Sequence, residues 1–387
     1  MRPGGASIRM GGMLRAALLI AVLAAAALGL LTVVKAPDWL SWYWAVLAGE
    51  YGHWVALGPL AAAALAWRVR AGHPATTVVT VALGAAAIAL LLNPAAQAWR
   101  IGRALPAELE RDFGRVELER RPFSFPALFA PGTRPMPFET MAYAGPLQLD
   151  FYRAAGRVPA PCVIVVHGGG WNNGDRGEIR QLDDWLARRG YAVAAISYRL
   201  APGAVWPAQR DDLMAAIAYV KAQAPRLGVD PARLVLLGRS AGGQIAEATA
   251  YAAHDPSIRG VVGLYAPADM NFAWAWGRED DALKSPQLLR QFLGGPPAVA
   301  GAAYDSASGI RLVGPTSPPT LLVHGRLDTL VWYRQSERLA ARLAACGVPH
   351  ALVSLPWATH AVEYNLRGPG GQLATYALEW FLAAATR

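Results

Sequence analysis

Residues 234–242, Leu-Val-Leu-Leu-Gly-Arg-Ser-Ala-Gly, join an apolar run to a serine flanked by glycines. The pattern G-x-S-x-G is typical of a serine held on a sharp turn between a strand and a helix. Glycine on both sides lets the backbone turn tightly without a clash of Cβ atoms. A helix beginning near Gly242 would direct its N–H groups and positive dipole end toward charge developing beside Ser240. The pentapeptide alone is common, so its neighbours in the sequence decide what it means.

A glycine-rich loop follows another predicted strand upstream. Residues 162–166 form a short β-branched run that indicates a buried strand, and the next residues are His167-Gly168-Gly169-Gly170-Trp171. Loops of this HGGG type supply part of the oxyanion hole in lipases and esterases. A phosphate-binding loop would need G-K-[ST] or G-x-G-x-x-G before a helix, and the sequence has neither here. The loop therefore favours a hydrolase.

Two further residues complete a possible catalytic set. A serine hydroxyl is a weak nucleophile until a base takes its proton, and a carboxylate fixes the tautomer of that base. In this kind of fold the order along the chain is Ser, then Asp or Glu, then His. Asp328 follows the predicted strand 320–324, and His360 follows the predicted strand 351–355. Because ligand sites of open α/β sheets lie beyond the C-terminal ends of strands, we predict both as partners of Ser240.

Other residues compete for these roles. His350 precedes its strand and would lie at the wrong end of the sheet, whereas Asp269, after the apparent strand 261–265, is a second candidate for the acid. We interpret His324 as structural and His167 as a brace for the glycine loop. Glu363, one helical turn beyond the predicted base if that segment is helical, is predicted to be a surface charge.

The motifs together resemble the hormone-sensitive-lipase-like carboxylesterases and the related feruloyl and acetyl esterases of the α/β-hydrolase superfamily. The resemblance covers residues 140–387. It rests on the motifs above together with Ser197-Tyr198-Arg199-Leu200-Ala201-Pro202, Trp206-Pro207, Asp211-Asp212 and Val229-Asp230-Pro231-Ala232-Arg233. It implies an α/β-hydrolase fold, with a mostly parallel central sheet flanked by helices.

The resemblance also implies site residues. They are the catalytic Ser240, Asp328 and His360 and the oxyanion-hole N–H groups of Gly169, Gly170 and Ala241. Two departures stand out. The family often has Asp or Glu where this chain has Arg239, and residues 358–361 read Ala-Thr-His-Ala where Gly-His-Gly is commoner.

The first hundred residues are unusually apolar. The whole chain is 54% hydrophobic and 16% charged, and the segments 16–34, 51–67 and 75–99 contain no Asp, Glu, Lys or Arg. About 20 apolar residues are enough to cross a bilayer. We predict that residues 1–100 form a membrane region of about three transmembrane helices. A cleaved signal peptide, or a single anchor with buried helices, is the alternative.

Positive charges near the apolar segments predict an orientation. Arg2, Arg9 and Arg15 precede the first segment, and Arg68 and Arg70 lie between the second and third. Because basic residues stay on the cytoplasmic side, three crossings of a bacterial-type inner or plasma membrane would leave the catalytic domain outside. If the segment 51–67 does not cross, that domain lies in the cytoplasm.

The remaining chain divides into a connector and a catalytic domain. Residues 101–135 are rich in Arg and Pro, and residues 136–387 alternate strands with helices as βαβ units do. A segment from 272 to 295 interrupts that alternation. Trp171, Trp274 and Trp276 are therefore candidates for lining a substrate pocket.

Composition limits the partners. The net charge of +9 comes from scattered arginines without a basic stripe or a nucleic-acid-binding motif, so no nucleic acid is expected. Cys162 and Cys346 fit no metal or redox spacing and are interpreted as buried thiols, and no metal or organic cofactor is expected. The sequence thus predicts hydrolysis of a small-molecule, lipid or glycan ester and carries no sign of oligomeric state. Acyl transfer, amide or peptide hydrolysis by the same residues, and a non-catalytic membrane binding protein are the alternatives.

Overall fold

The computed structural model describes residues 5–70, 73–156 and 158–387, with side chains from residue 12 onward. Arg2, part of the predicted orientation signal, lies outside these residues. Within them the C-terminal part is built on a sheet of eight strands, in the spatial order β1-β2-β4-β3-β5-β6-β7-β8. The strands are β1 (Glu139–Ala144), β2 (Leu147–Tyr152), β3 (Ala160–Val166), β4 (Ala192–Ile196), β5 (Val229–Arg239), β6 (Ile258–Leu264), β7 (Thr320–Gly325) and β8 (His350–Leu355).

Strand direction divides the sheet into two parts. β1 pairs antiparallel with β2, and β2 pairs antiparallel with β4. From β4 to β8 every neighbouring pair is parallel. The carboxyl ends of β3, β5, β7 and β8 therefore meet at one edge of the sheet, which is where the predicted site residues follow their strands.

Besides a short 3-10 helix at Pro126–Phe129, fourteen α-helices occur in the described residues. They are α1 (Gly5–Leu30), α2 (Trp39–Val55), α3 (Leu57–Arg68), α4 (Pro74–Phe113), α5 (Arg180–Arg188), α6 (Ala208–Ala222), α7 (Ala224–Leu227), α8 (Ala241–Ala253), α9 (Met270–Trp276), α10 (Ser285–Leu293), α11 (Pro297–Ala307), α12 (Gly309–Leu312), α13 (Arg334–Ala345) and α14 (Pro369–Ala385).

The central strands are apolar over their buried stretches, such as Leu234–Leu237 of β5, because both faces of the sheet are covered there. Side chains alternate between two cores: Ile164 and Leu236 face the core that includes α6 and α8, and Val165 and Leu237 face the core that includes α5 and α14. Cys162 is buried in β3 as predicted. Cys346 is only partly buried and lies at the C-cap of α13, just before the chain enters β8.

The helix α4 joins the apolar N-terminal part to the sheet. It runs for 40 residues and is therefore about 60 Å long. Ala98, Leu105 and Leu109 are buried in the same core as α14. The predicted boundary at residue 100 thus falls inside a continuous helix, and the first part of the predicted connector belongs to that helix.

The N-terminal helices form an apolar bundle in which α1 runs parallel to α4. A Cβ added at Gly29 would lie 2.8 Å from the Cβ of Leu90, and one added at Gly84 would lie 3.6 Å from Val22. The segment α2–α3 runs antiparallel to α4, because a Cβ at Gly52 would meet the carbonyl of Leu91 whereas one at Gly84 would lie 3.2 Å from Ala63. Small residues at these contacts let the backbones approach closely.

Two helices in the described residues are long and apolar enough to cross a membrane, at Gly12–Leu30 and Pro74–Phe113. They coincide with the first and third predicted segments. The second predicted segment, 51–67, is divided between α2 and α3, which meet at Ala56 in a helical backbone conformation. A crossing by this segment remains a prediction.

Candidate active site

Ser240 lies on the turn between β5 and α8 with φ 51° and ψ −122°, a backbone conformation that L residues rarely adopt. The turn is possible only with glycine beside it. A Cβ at Gly238 would lie 2.1 Å from the carbonyl oxygen of Gly242, and a Cβ at Gly242 would lie 2.2 Å from that of Val166. The N–H of Ser240 donates to the carbonyl of Leu264 on the neighbouring strand. Strain of this kind, held by its surroundings, is typical of a nucleophile turn.

The glycine loop after β3 lies directly beside Ser240. Gly169 and Gly170 have φ values of 99° and 58°. A Cβ at Gly168 would lie 3.5 Å from the Cβ of Ser240. The hydrogen bonds formed within residues 5–70, 73–156 and 158–387 leave the N–H groups of Gly169, Gly170 and Ala241 free to donate to a ligand.

Contacts of His167 and Glu178 hold the glycine loop in place, which agrees with the interpretation of His167 as a brace for this loop. A hydrogen bond of 2.8 Å joins Nδ1 of His167 to the carbonyl of Gly168. The imidazole stacks on the ring of Tyr198 with centroids 4.2 Å apart. The N–H of Gly168 donates to Oε2 of Glu178 at 2.7 Å. Burial lowers the pKa of His167, which favours a neutral brace over a charged base.

Asp328 is fully buried and holds two histidines. Its Oδ2 lies 2.7 Å from Nδ1 of His360 and 3.1 Å from Nε2 of His324. Its Oδ1 accepts the N–H groups of Leu330 and Val331. Burial opposes ionisation of this carboxyl, but the two histidines outweigh burial and hold the pKa of Asp328 well below its usual value. Since an ionised carboxylate only accepts, Nδ1 of His360 must donate to it.

The rival residues lie in structural roles. Asp269 begins α9 by accepting the N–H of Phe272 and pairs with Arg338 at 2.7 Å. His324 is fully buried and bonds Oγ of Ser336 through Nδ1 at 2.7 Å. Its other ring nitrogen contacts Oδ2 of Asp328, the same oxygen that His360 contacts, so it helps to hold the acid in place.

Ser240 and His360 line one cleft of about 840 Å³, together with the glycine loop. Six residues of α2 line the same cleft: Trp39, Trp42, Tyr43, Val46, Leu47 and Tyr51. Their place in the cleft has no local sequence signal, because it depends on contacts between residues more than 100 positions apart.

A buried carboxyl fixes α2 against the catalytic domain. Glu50 is 3% exposed and accepts the N–H groups of Gly370 and Gly371 at the start of α14, at 3.0 and 3.3 Å. The side-chain amide of Asn365 donates to the carbonyl of Glu50. Burial raises the pKa of Glu50 to about 8, although the glycine N–H groups act against the rise. The sequence shows Glu50 only as an interruption of an apolar segment.

The prediction of Glu363 as a surface charge is wrong. Glu363 is 1% exposed and accepts a hydrogen bond of 2.5 Å from the hydroxyl of Tyr265. The ring of Tyr265 in turn lies against that of His360, with centroids 4.2 Å apart. The segment is a turn and not a helix, since Ala361 has φ 67°, and the turn directs Glu363 inward.

Arg239, the unusual residue of the serine turn, belongs to the same buried group. It is 2% exposed, and Nη2 donates to the carbonyl of Glu178 at 2.7 Å. Burial alone would lower the pKa of Arg239, but the charges of Glu178, Glu363 and Asp183 raise it. The guanidinium therefore stays charged beneath the turn, where it balances neighbouring carboxylates. An arginine at this position was the one sequence signal for such a group.

The three tryptophans predicted to line the pocket do not line the cleft that contains Ser240. Trp171 is buried, donates from Nε1 to Gln244 at 2.9 Å, and stacks on Phe292. Trp171 and the exposed Trp276 line a second cavity of about 100 Å³ that shares Leu288 with the main cleft. Trp274 packs edge-on against a neighbouring tyrosine and, in the described part of the chain, lines neither cavity.

Comparison with known proteins gives several esterase relatives. The chain is 30% identical over 241 residues to the probable carboxylic ester hydrolase LipM of Mycobacterium tuberculosis, covering 58% of this chain and 54% of LipM. It is 30% identical over 229 residues to esterase LipQ of the same organism, covering 56% and 54%. The chain thus spans about half the length of the curated relatives it matches.

Solved structures and a family model agree on the fold. A bacterial heroin esterase matches 76% of this chain and 92% of its own, with TM-score 0.55 and 23% identity. A truncated carbohydrate esterase from gut microbiota matches 62% and 91%, with TM-score 0.53 and 22% identity. The BD-FAE family model matches residues 149–343, about half of the chain. The fold is that of an α/β-hydrolase, and the chain belongs to the BD-FAE family.

Proposed function

We propose that this protein hydrolyses carboxylic esters through Ser240, His360 and Asp328. The observation that carries the proposal is the 2.7 Å bond from Nδ1 of His360 to buried Asp328, in a cleft that also contains Ser240 on its strained turn. With Nδ1 donating to Asp328, the other nitrogen of His360 is free to accept the serine proton. The relatives LipM and LipQ, named as an ester hydrolase and an esterase, support the same class of reaction.

The reaction proceeds through an acyl-enzyme. Oγ of Ser240 attacks the ester carbonyl carbon while His360 takes its proton, and the tetrahedral adduct collapses as His360 returns that proton to the leaving alcohol. Water then attacks the acyl carbon as His360 takes its proton, and the second tetrahedral adduct collapses as His360 gives that proton to Oγ of Ser240 and the acid leaves. Asp328 stays ionised throughout and stabilises the imidazolium form of His360.

The negative charge on the carbonyl oxygen is met by fixed donors. We assign this role to the N–H groups of Gly169, Gly170 and Ala241, which donate to no acceptor among the described residues. The start of α8 adds its positive dipole end at the same place. Loss of one such donor typically costs about 10²–10³ in kcat. The positive φ of both glycines makes their replacement by other residues costly for the loop as well.

The test is the substitution Ser240→Ala in the full-length protein. It is expected to abolish both hydrolysis of p-nitrophenyl acetate and labelling by a fluorophosphonate probe, with thermal unfolding unchanged. Activity at the wild-type level would refute the assignment of Ser240. Acyl transfer and amide hydrolysis share the acyl-enzyme, so an acyl-acceptor alcohol and an arylamide measured beside the ester separate these alternatives. Failure of the wild-type protein to react with the probe would favour a binding protein.

For the N-terminal helices we propose a three-span membrane anchor with the catalytic domain outside the cytoplasm. The antiparallel course of α2–α3 beside α1 and α4 supports this arrangement. Arg68 ends α3 at the end of the bundle remote from the sheet, whereas α2 begins at the sheet end, beside the cleft. Basic residues thus gather at the end that the positive-inside rule assigns to the cytoplasm.

A further inference from the structure

One wall of the cleft that contains Ser240 is formed by α2, which lies outside the α/β-hydrolase domain. Trp39, Trp42 and Tyr43 form a continuous aromatic surface on α2, with the rings of Trp39 and Trp42 4.9 Å apart and those of Trp42 and Tyr43 4.6 Å apart. Val46 and Leu47 extend this surface along the helix. Leu283 and Leu288 close the cleft from the domain side. A substrate bound at Ser240 therefore lies between two apolar walls.

The α2 wall is built into the fold. Glu50 joins α2 to the start of α14 through the N–H groups of Gly370 and Gly371, and Asn365 bonds its carbonyl. Gly49 faces the buried Trp357, which a Cβ there would approach to 3.7 Å. These contacts hold α2 at a fixed distance from His360, so the aromatic surface is present before any substrate arrives.

The size of the cleft suits a large substrate. Pockets of about 300–1,000 Å³ enclose ligands of drug size, and the 840 Å³ here lie in that range. An acetyl ester of a small alcohol would leave most of the α2 wall uncovered. A long apolar chain would cover it, and burial of each methylene is favourable.

We propose that the cleft-facing surface of α2 binds a long apolar chain of the ester substrate, on its acyl or its alcohol side. This inference rests on the proposed hydrolase function. The flanking helices α1 and α4 contain the two segments apolar enough to cross a membrane. The chain therefore belongs to an amphiphilic ester drawn from the bilayer, whose polar end reaches Ser240 while its apolar end follows α2.

The experiment uses the full-length protein in detergent micelles with three esters: p-nitrophenyl acetate, p-nitrophenyl dodecanoate and dodecyl acetate. The substitution Trp42→Ala removes part of the wall. Trp44→Ala is the matched control, because Trp44 lies on another face of the same helix and is 50% exposed. Leu47→Trp narrows the cleft by enlarging one wall residue, which guards against a folding defect in the first variant.

We expect Trp42→Ala and Leu47→Trp each to lower kcat/KM for at least one twelve-carbon ester about tenfold, and to lower kcat/KM for p-nitrophenyl acetate by a smaller factor. The ester that loses activity identifies the side that carries the chain. Trp44→Ala should leave all three esters within about twofold. Equal changes on all three esters, or no change in either cleft variant, would overturn the role of α2 while leaving the hydrolase function intact. Persistence of p-nitrophenyl acetate hydrolysis in Ser240→Ala would instead overturn the hydrolase function.

Discussion

The ring of Tyr265 lies against the imidazole of His360, with centroids 4.2 Å apart, and its hydroxyl donates to buried Glu363. Tyr265 follows β6 with a positive φ of 43°, so the strand end itself places the ring over the histidine. The residue that follows β6 thus helps to determine the orientation of the proposed base.

Tyr265 is predicted to act as a positioning residue. Tyr265→Ala removes the ring contact and should lower kcat for p-nitrophenyl acetate about tenfold, because the imidazole loses one of its supports. Tyr265→Phe keeps the ring and should restore most of kcat. Steady-state kinetics of the two variants provide the measurement. If Phe and Ala lower kcat equally, the hydroxyl bond to Glu363 matters and the ring contact does not.

Asp328→Asn should lower kcat by about 10³–10⁴ with the fold intact, because an amide no longer fixes the tautomer of His360. The pKa of Asp328 is held below its ordinary value of 3.8, so its contribution to stability is present above that value and is lost as the pH falls through the lower folded pKa. The difference in melting temperature between wild type and Asp328→Asn should therefore be constant from about pH 5 to 8 and shrink below about pH 4. Thermal unfolding across pH measures it, and a difference that grows on acidification would contradict the assignment.

Arg239→Met should destabilise the protein by about 3 kcal/mol at neutral pH, since it removes a buried positive charge that acts on the carboxyl groups of Glu178, Glu363 and Asp183. Arg334→Met, an exposed arginine on α13, is the matched control and should change stability by less than about 0.5 kcal/mol. Denaturant unfolding compares the two. Equal stability of both variants would mean that the carboxyls are neutral without Arg239.

The proposed orientation predicts on which side of the membrane a reporter protein fused to the C-terminus lies. Alkaline phosphatase fused after Arg387 in a bacterial host should be active, and a green fluorescent protein at the same position should be dark. A short epitope inserted at residue 70 should be accessible only after the cells are opened. Fluorescence of the C-terminal fusion would place the catalytic domain in the cytoplasm and refute three crossings.

Local sequence was enough to locate the parts of the site that depend on local geometry. The serine turn needs glycine at 238 and 242 for steric reasons, and the glycine loop needs the positive φ that Gly169 and Gly170 adopt. Asp328 and His360 could be predicted because each follows its own parallel strand, which brings them to the same edge of the sheet.

The features that sequence reasoning missed are long-range. Glu50 and Gly370 are 320 positions apart, and no periodicity connects them. The prediction of Glu363 on the surface assumes a helix after His360, but the chain forms a turn at Ala361 and Glu363 is buried. The boundary at residue 100 followed the end of an apolar segment, but the helix continues because its later turns find a second apolar partner in the core of α14.

The proposed hydrolase domain is connected to the apolar bundle by one continuous helix, α4, and not by a flexible linker. An enzyme on a flexible linker samples a volume above its membrane, and its active site turns freely toward soluble molecules. Here α4 extends from the apolar bundle and also packs in the core beside the sheet. This contact sets the position and orientation of Ser240 relative to the bundle. If the bundle is anchored in a membrane as proposed, the protein diffuses only in the plane of that membrane. Its substrates are then molecules that diffuse in the same membrane.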